Sequence, residues 1–244
     1  MKSKVYILFL ILVLVFSLSA CSTNKPNSIT NNDNPSSSPI TNTSTNDATI
    51  HTPSPEDENS LPTNAYKAVL QNDIAFISTE DNLEFFLNDF LSRNSEYEGI
   101  YKVTHFTVID MDGDQISEVI LELSLGDYPD QYEILHYSNG KVYGYNYVYR
   151  GFEMPKEDGT YSYANSASDV GTEKILNFNS DAVEIETLGY AQSDYSGENI
   201  VISYFVNNAS VAKEDFDAFI DQQNKKKDLQ WYAFSAENIE EKVF

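Results

Sequence analysis

The chain is poor in cysteine, histidine and basic residues, and each shortage excludes something. Cys21 is the single cysteine among 244 residues, which rules out an internal disulfide and any cysteine-built zinc cluster. Whatever domain forms must stand on its core alone. Histidine occurs three times, as His51, His105 and His136. A Ser-His-Asp hydrolase would have to use His105 or His136, because His51 lies in a stretch with almost no apolar residues. No nucleophile-elbow glycines and no HExxH, GxxxxGK[ST] or GxGxxG pattern occur, so the common catalytic and phosphate-cradling motifs are absent. Lysine and arginine total 15 against 38 acidic residues, a net charge of −23. So acidic a surface repels phosphate backbones, so no nucleic-acid partner is expected. It suits solubility, cation binding or a basic protein partner.

Long apolar runs are also missing. Residues 5–16 are unbroken apolar sequence, but a bilayer-spanning helix needs about 20 such residues. Lys2 and Lys4 precede this run, and Ser17, Ser19 and Ala20 follow it. A positive start, a short apolar middle and a small-residue end are the parts of an export signal, expected over residues 1–20. Leu18-Ser19-Ala20-Cys21 resembles the lipobox of bacterial lipoproteins. That resemblance implies cleavage before Cys21 and a covalent lipid on it. A diacylglyceryl group would supply the two acyl chains that stable anchoring requires. The expected location is the cell membrane, lipid-anchored and facing outside the cytoplasm. Loss of residues 1–20 removes two lysines and no acid, moving the net charge from −23 to −25.

Between residues 21 and 63, 30 of 43 residues are Ser, Thr, Asn or Pro. Such composition cannot bury enough surface to offset chain entropy, so a disordered tether is expected there. The remaining residues, 64–244, are enough for one domain. Leu83, Phe86, Leu87, Phe90 and Leu91 recur at helical spacing, predicting a helix over 83–91 capped by Ser78 or Thr79. A shorter helix is expected over 65–72. From residue 101 the period becomes two, predicting strands over 102–109, 119–124, 132–137, 142–150, 160–164, 174–177, 182–188 and 200–206. Ser138-Asn139-Gly140, Glu157-Asp158-Gly159 and Ser196-Gly197 supply turns. Short turns favour antiparallel neighbours. Phe216, Phe219 and Ile220 predict a late helix, and Ser235 a cap for a terminal one. The expected class is α+β, an antiparallel β-meander with flanking helices.

One segment carries recognisable chemistry. Asp110, Asp112 and Asp114 alternate through a glycine-containing loop, and Glu118 follows at the ninth position. Carboxylates at positions 1, 3, 5 and 9, with a backbone carbonyl near Ile116, are the oxygen set that a hard Ca²⁺ ion demands. An EF-hand fits poorly, because Gln115 and Leu121 stand where that loop needs glycine and glutamate. The alternative is a hairpin whose aspartates bond their own backbone. The segment resembles the calcium loops of FG-GAP and VCBS-type repeats, here in one copy, so a propeller is not implied. More widely, residues 64–244 are similar to uncharacterised lipoproteins of Gram-positive bacteria with a single such loop. The similarity runs on through Tyr132-Glu133-Ile134-Leu135-His136-Tyr137-Ser138-Asn139-Gly140-Lys141-Val142-Tyr143-Gly144-Tyr145 and Ile202-Ser203-Tyr204-Phe205-Val206-Asn207-Asn208. It implies no catalytic residues.

Tyr143, Tyr145, Tyr147 and Tyr149 alternate, placing four rings on one face of a strand. They form either a binding platform or ordinary inter-strand packing. The leading functional expectation is a non-enzymatic surface or binding module stabilised by Ca²⁺. The rival is a calcium-dependent cell-wall or glycan hydrolase, which would need a cleft with two convergent carboxylates near these tyrosines.

Overall fold

The computed structural model describes residues 55–93, 99–180, 182–196 and 199–244. The expected leader, Cys21 and the expected tether up to residue 54 lie outside the described residues. A helix, α1, spans Pro55–Leu70. It begins inside the stretch expected to be tether, nine residues before the expected domain boundary at 64. Proline suits a first helical position, where the missing N–H costs nothing. The anchoring comes later, from Tyr66, Val69 and Leu70, all buried at i, i+3, i+4 spacing. Tertiary packing of that last turn stabilises a helix whose first turns have little apolar content.

Helix 83–91 does not form as expected. Phe76–Ser78 (β1) and Leu83–Phe85 (β2) pair as an antiparallel hairpin, and only Leu87–Ser92 is helical (α2). Asn82 turns the chain with a φ of 55°. Leu83 is 57% exposed, so its helical spacing marked no buried face. Ser78 caps nothing; it is a buried strand residue.

The strands of the first sheet follow the sequence period closely. Lys102–Ile109 (β3), Glu118–Leu125 (β4), Tyr128–Ser138 (β5) and Lys141–Val148 (β6) are consecutive antiparallel neighbours. The β1 strand joins β6 in parallel, so this sheet is not purely antiparallel. Thr160–Ala164 (β7), Val170–Phe178 (β8), Val183–Ser196 (β9), Asn199–Val206 (β10) and Ala209–Val211 (β11) form a second, wholly antiparallel sheet in sequence order. Lys213–Asn224 (α3) follows. Tyr232–Ala233 (β12) then completes the seven-stranded sheet at the edge beside β3. The last helix, Ala236–Lys242 (α4), is capped as expected, with Ser235 Oγ accepting the Asn238 N–H at 3.2 Å. The protein is therefore mostly β-structure with a few helices, arranged in two sheets where a single meander was expected.

Strand alternation sorts residues into two cores. Val119, Leu121, Leu123 and Leu135 face α1, α2 and α4 in one cluster. Ile120, Tyr132, Ile134 and Tyr145 face Phe152, Tyr161, Ile175 and Phe178 of the second sheet's side in the other. On the far side of the second sheet lies α3, with Phe216 against Tyr204 at 5.3 Å between ring centroids. Among the described residues, no helix is long and apolar enough to cross a membrane.

Candidate metal centre in the loop between β3 and β4

The aspartate loop joins β3 to β4, whose last register pair is Ile109 with Glu118. Inside it the chain reverses through two left-handed residues, Gly113 at φ 86° and Gln115 at φ 75°. Glycine accepts that conformation without penalty, but glutamine does so only when held. Asp110 holds both. Its Oδ1 accepts the Gly113 N–H at 2.7 Å and its Oδ2 the Gln115 N–H at 3.1 Å. Asp112 Oδ1 accepts from Asp114 N–H at 3.1 Å, and Asp114 Oδ1 from Ile116 N–H at 2.7 Å. These are the backbone bonds of an aspartate-turned loop.

The same geometry gathers charge. Asp110, Asp112 and Asp114 each bring one carboxylate oxygen within 4.8 Å of the others. At that separation two anions repel by about 1 kcal/mol even in water, and more when partly buried. Asp112 shows the effect. Its pKa is raised, first by burial and further by the Asp114 and Asp110 charges, against the Asp114 N–H and His136, which lower it. Carboxylate oxygens keep further lone pairs beyond those given to the loop N–H groups. The three residues together could therefore hold a metal ion.

Glu118 behaves differently from a fourth loop ligand. It is fully buried at the start of β4. Its Oε2 accepts the Met111 N–H at 2.8 Å, and its Oε1 lies 2.9 Å from His136 Nδ1. Its pairing with His136 follows from sheet register: Val119 opposes Leu135, so the next positions outward are Glu118 and His136. The imidazole is itself 5% exposed and stacks on Phe178 at 4.9 Å. Burial pushes the Glu118 carboxyl up to about 7, against the lowering effect of His136 and the Met111 N–H. Met111, whose N–H it takes, is buried beneath the aspartates. Glu118 thus ties the loop to the sheet from below. Asp112, Glu118 and His136 also converge within 4.8 Å, a mixed oxygen and nitrogen set sharing Asp112 with the aspartate trio. Its Glu118–His136 pair is already closed by hydrogen bonding, whereas the aspartate trio is all oxygen, the donor type hard cations prefer.

The tyrosine strand turns inward. Tyr145 is 3% exposed, and its hydroxyl donates to the Asn179 carbonyl. Tyr143 and Tyr147 pack against the core between the sheets, with Tyr147 5.4 Å from Phe152. Tyr149 leaves the strand in a short 3-10 turn, Tyr149–Gly151, and stacks on Tyr132 at 6.3 Å. Of the four rings for which a platform and packing were the alternatives, three pack between the sheets and the fourth lies beyond the strand.

A second buried carboxylate escaped sequence reasoning. Glu133 sits on β5 with Leu135 and Tyr137 on the same face, so period-two alternation alone would have placed it inward. It is fully buried. Asn146 Nδ2 donates to its Oε2 at 3.0 Å, while Oε1 has no hydrogen-bond partner among the described residues. Burial pushes its pKa up to about 8, with Asn146 and the Arg93 charge pulling the other way. The neighbouring residue 144 must be glycine, since a Cβ there would collide with this carboxylate and the Phe76 ring. No family model, curated protein or solved structure matches the chain.

Proposed function

We propose that this chain is an exported lipoprotein, cut before Cys21 and lipidated there. On this reading the folded region works outside the cytoplasm as a non-enzymatic accessory or binding module, akin to the uncharacterised Gram-positive lipoproteins it resembles. The loop between β3 and β4 takes Ca²⁺, and the acidic surface suits a basic partner. Placement is supported by the charged, apolar and small-residue order of residues 1–20 before a lone cysteine.

The single observation carrying the calcium reading is the convergence of the Asp110, Asp112 and Asp114 oxygens within 4.8 Å. A bound cation would cancel their repulsion and pin the hairpin against β4. Ligand binding to the folded state alone adds RT ln(1 + [L]/Kd), about 2.7 kcal/mol at a hundredfold excess over Kd. Thermal unfolding in millimolar Ca²⁺ should therefore give a higher Tm than in EDTA, and Asp112→Asn should abolish the difference. Equal Tm values in both buffers would remove the metal. For the anchor, intact-mass analysis of membrane-extracted protein should find residue 21 as an acylated N-terminus, and Cys21→Ser should release the protein into the medium.

The hydrolase alternative gains little support. The groove of about 560 Å³ beside β6 is lined by Tyr145, Tyr147 and, among the described residues, a single carboxylate, Glu80. That carboxylate is engaged by Arg93 at 3.1 Å. Glycoside hydrolysis needs two carboxylates across one bond.

A further inference from the structure

On the outer face of the second sheet, α3 and β8 leave an open groove of about 600 Å³. Apolar residues lining it include Phe216, Ile220 and Val170; among the described residues its acids are Glu153, Asp217 and Asp221, and no lysine or arginine lines it. Asp217 shares its charge with Lys213, one turn back along the helix. Glu153 and Asp221 have no cation partner among the described residues.

Unpaired carbonyls make a helix C-terminus negative, so a basic residue is favourable in the last turn and an acid is not. The last turn of α3 holds Asp221, and Lys225 at the C-cap with Lys226 and Lys227 just past it supply the positive charge that the helix end favours. Asp217 and Asp221 lie one turn apart on the same side of the helix, and both line the groove.

We infer that this groove binds an extended basic peptide segment of a partner protein. One apolar side chain enters between Phe216, Ile220 and Val170, and flanking lysines or arginines reach Glu153, Asp217 and Asp221. Apolar lining requires an apolar group in the ligand, and a polyamine carries none apart from its methylenes. The inference rests on the proposed reading of an acidic binding module, and names where that module binds.

The test is fluorescence anisotropy with the full chain and a labelled peptide of alternating arginine and leucine, at low and high salt. The assignment expects saturable, salt-weakened binding. It expects at least tenfold loss when serine replaces leucine, and at least tenfold loss in Asp221→Asn combined with Glu153→Gln. Asp221 is exposed and Glu153 half-buried, and neither belongs to a hydrophobic core cluster. Glu237→Gln with Glu241→Gln on α4, behind the other sheet, should change nothing. Equal weakening by the α4 pair would overturn the groove while leaving a basic partner possible elsewhere. Serine and leucine peptides binding alike, or spermine displacing the peptide at equal affinity, would overturn the peptide assignment. Failure to bind at low salt would overturn both the groove and the basic-partner reading.

Discussion

Two glutamates, Glu118 and Glu133, are equally hidden in the seven-stranded sheet, yet their surroundings differ. Both oxygens of Glu118 have partners, one a backbone N–H and one an imidazole. Glu133 has one amide for one oxygen and nothing for the other. Correspondingly, burial lifts one carboxyl to about 7 and the other to about 8. A buried acid is tolerated in proportion to what it is bonded to. Glu118 organises a loop, whereas Glu133 is a cost carried inside the fold.

The largest effect should come from Glu118→Ala. It would orphan the Met111 N–H and leave His136 without its partner, costing about 3–5 kcal/mol by urea unfolding. Replacing both partners together, Glu118→Leu with His136→Leu, should cost less than the single change, because no unpaired polar group remains. A single change costing under about 1 kcal/mol would mean that the two glutamates are not different in kind.

Glu133 should reveal itself through pH. The folded protein keeps this proton up to about pH 8, while the unfolded chain releases it near the ordinary 4.5. Between those values the unfolded state binds fewer protons, so stability falls as pH rises. For this group alone the fall between pH 6 and pH 8 is about 2 kcal/mol. Glu133→Gln should remove that slope and be the more stable protein at pH 8, as read by denaturant midpoints across pH. A slope unchanged by the substitution would place the titration elsewhere. The smallest effect is Asn146→Ala, which takes away the one donor Glu133 has and should cost about 1 kcal/mol at pH 6.

Much of the β-structure was legible because one face of each strand is buried. The expected limits 102–109 and 160–164 coincide with β3 and β7, where alternation is clean and turns are marked. Short elements were not. Leu83, Phe86 and Leu87 satisfy a helical period by coincidence, since Leu83 belongs to a hairpin closed by a left-handed asparagine. The start of α1 was hidden because its polar first turns contribute nothing to periodicity. That the strands divide into two facing sheets is a property of long-range pairing, invisible to local pattern. The same holds at the candidate site. The aspartate loop is contiguous in sequence and could be read directly. The contribution of His136 could not, because β5 brings it to Glu118 only through sheet register.

Lys67 and Gln71, at and just past the end of α1, both bond to Glu240 of α4, at 3.1 and 2.7 Å. Pro62 and Thr63 line a small recess with Gln115, Ile116 and Phe244. Any pull on the chain upstream of Pro55 therefore enters through a helix latched to the last one, next to the aspartate loop. Tension would be shared between the two terminal helices and β5, whose Tyr137 N–H donates to the Tyr66 hydroxyl at 2.7 Å, and the loop would sit at the loaded end of the domain.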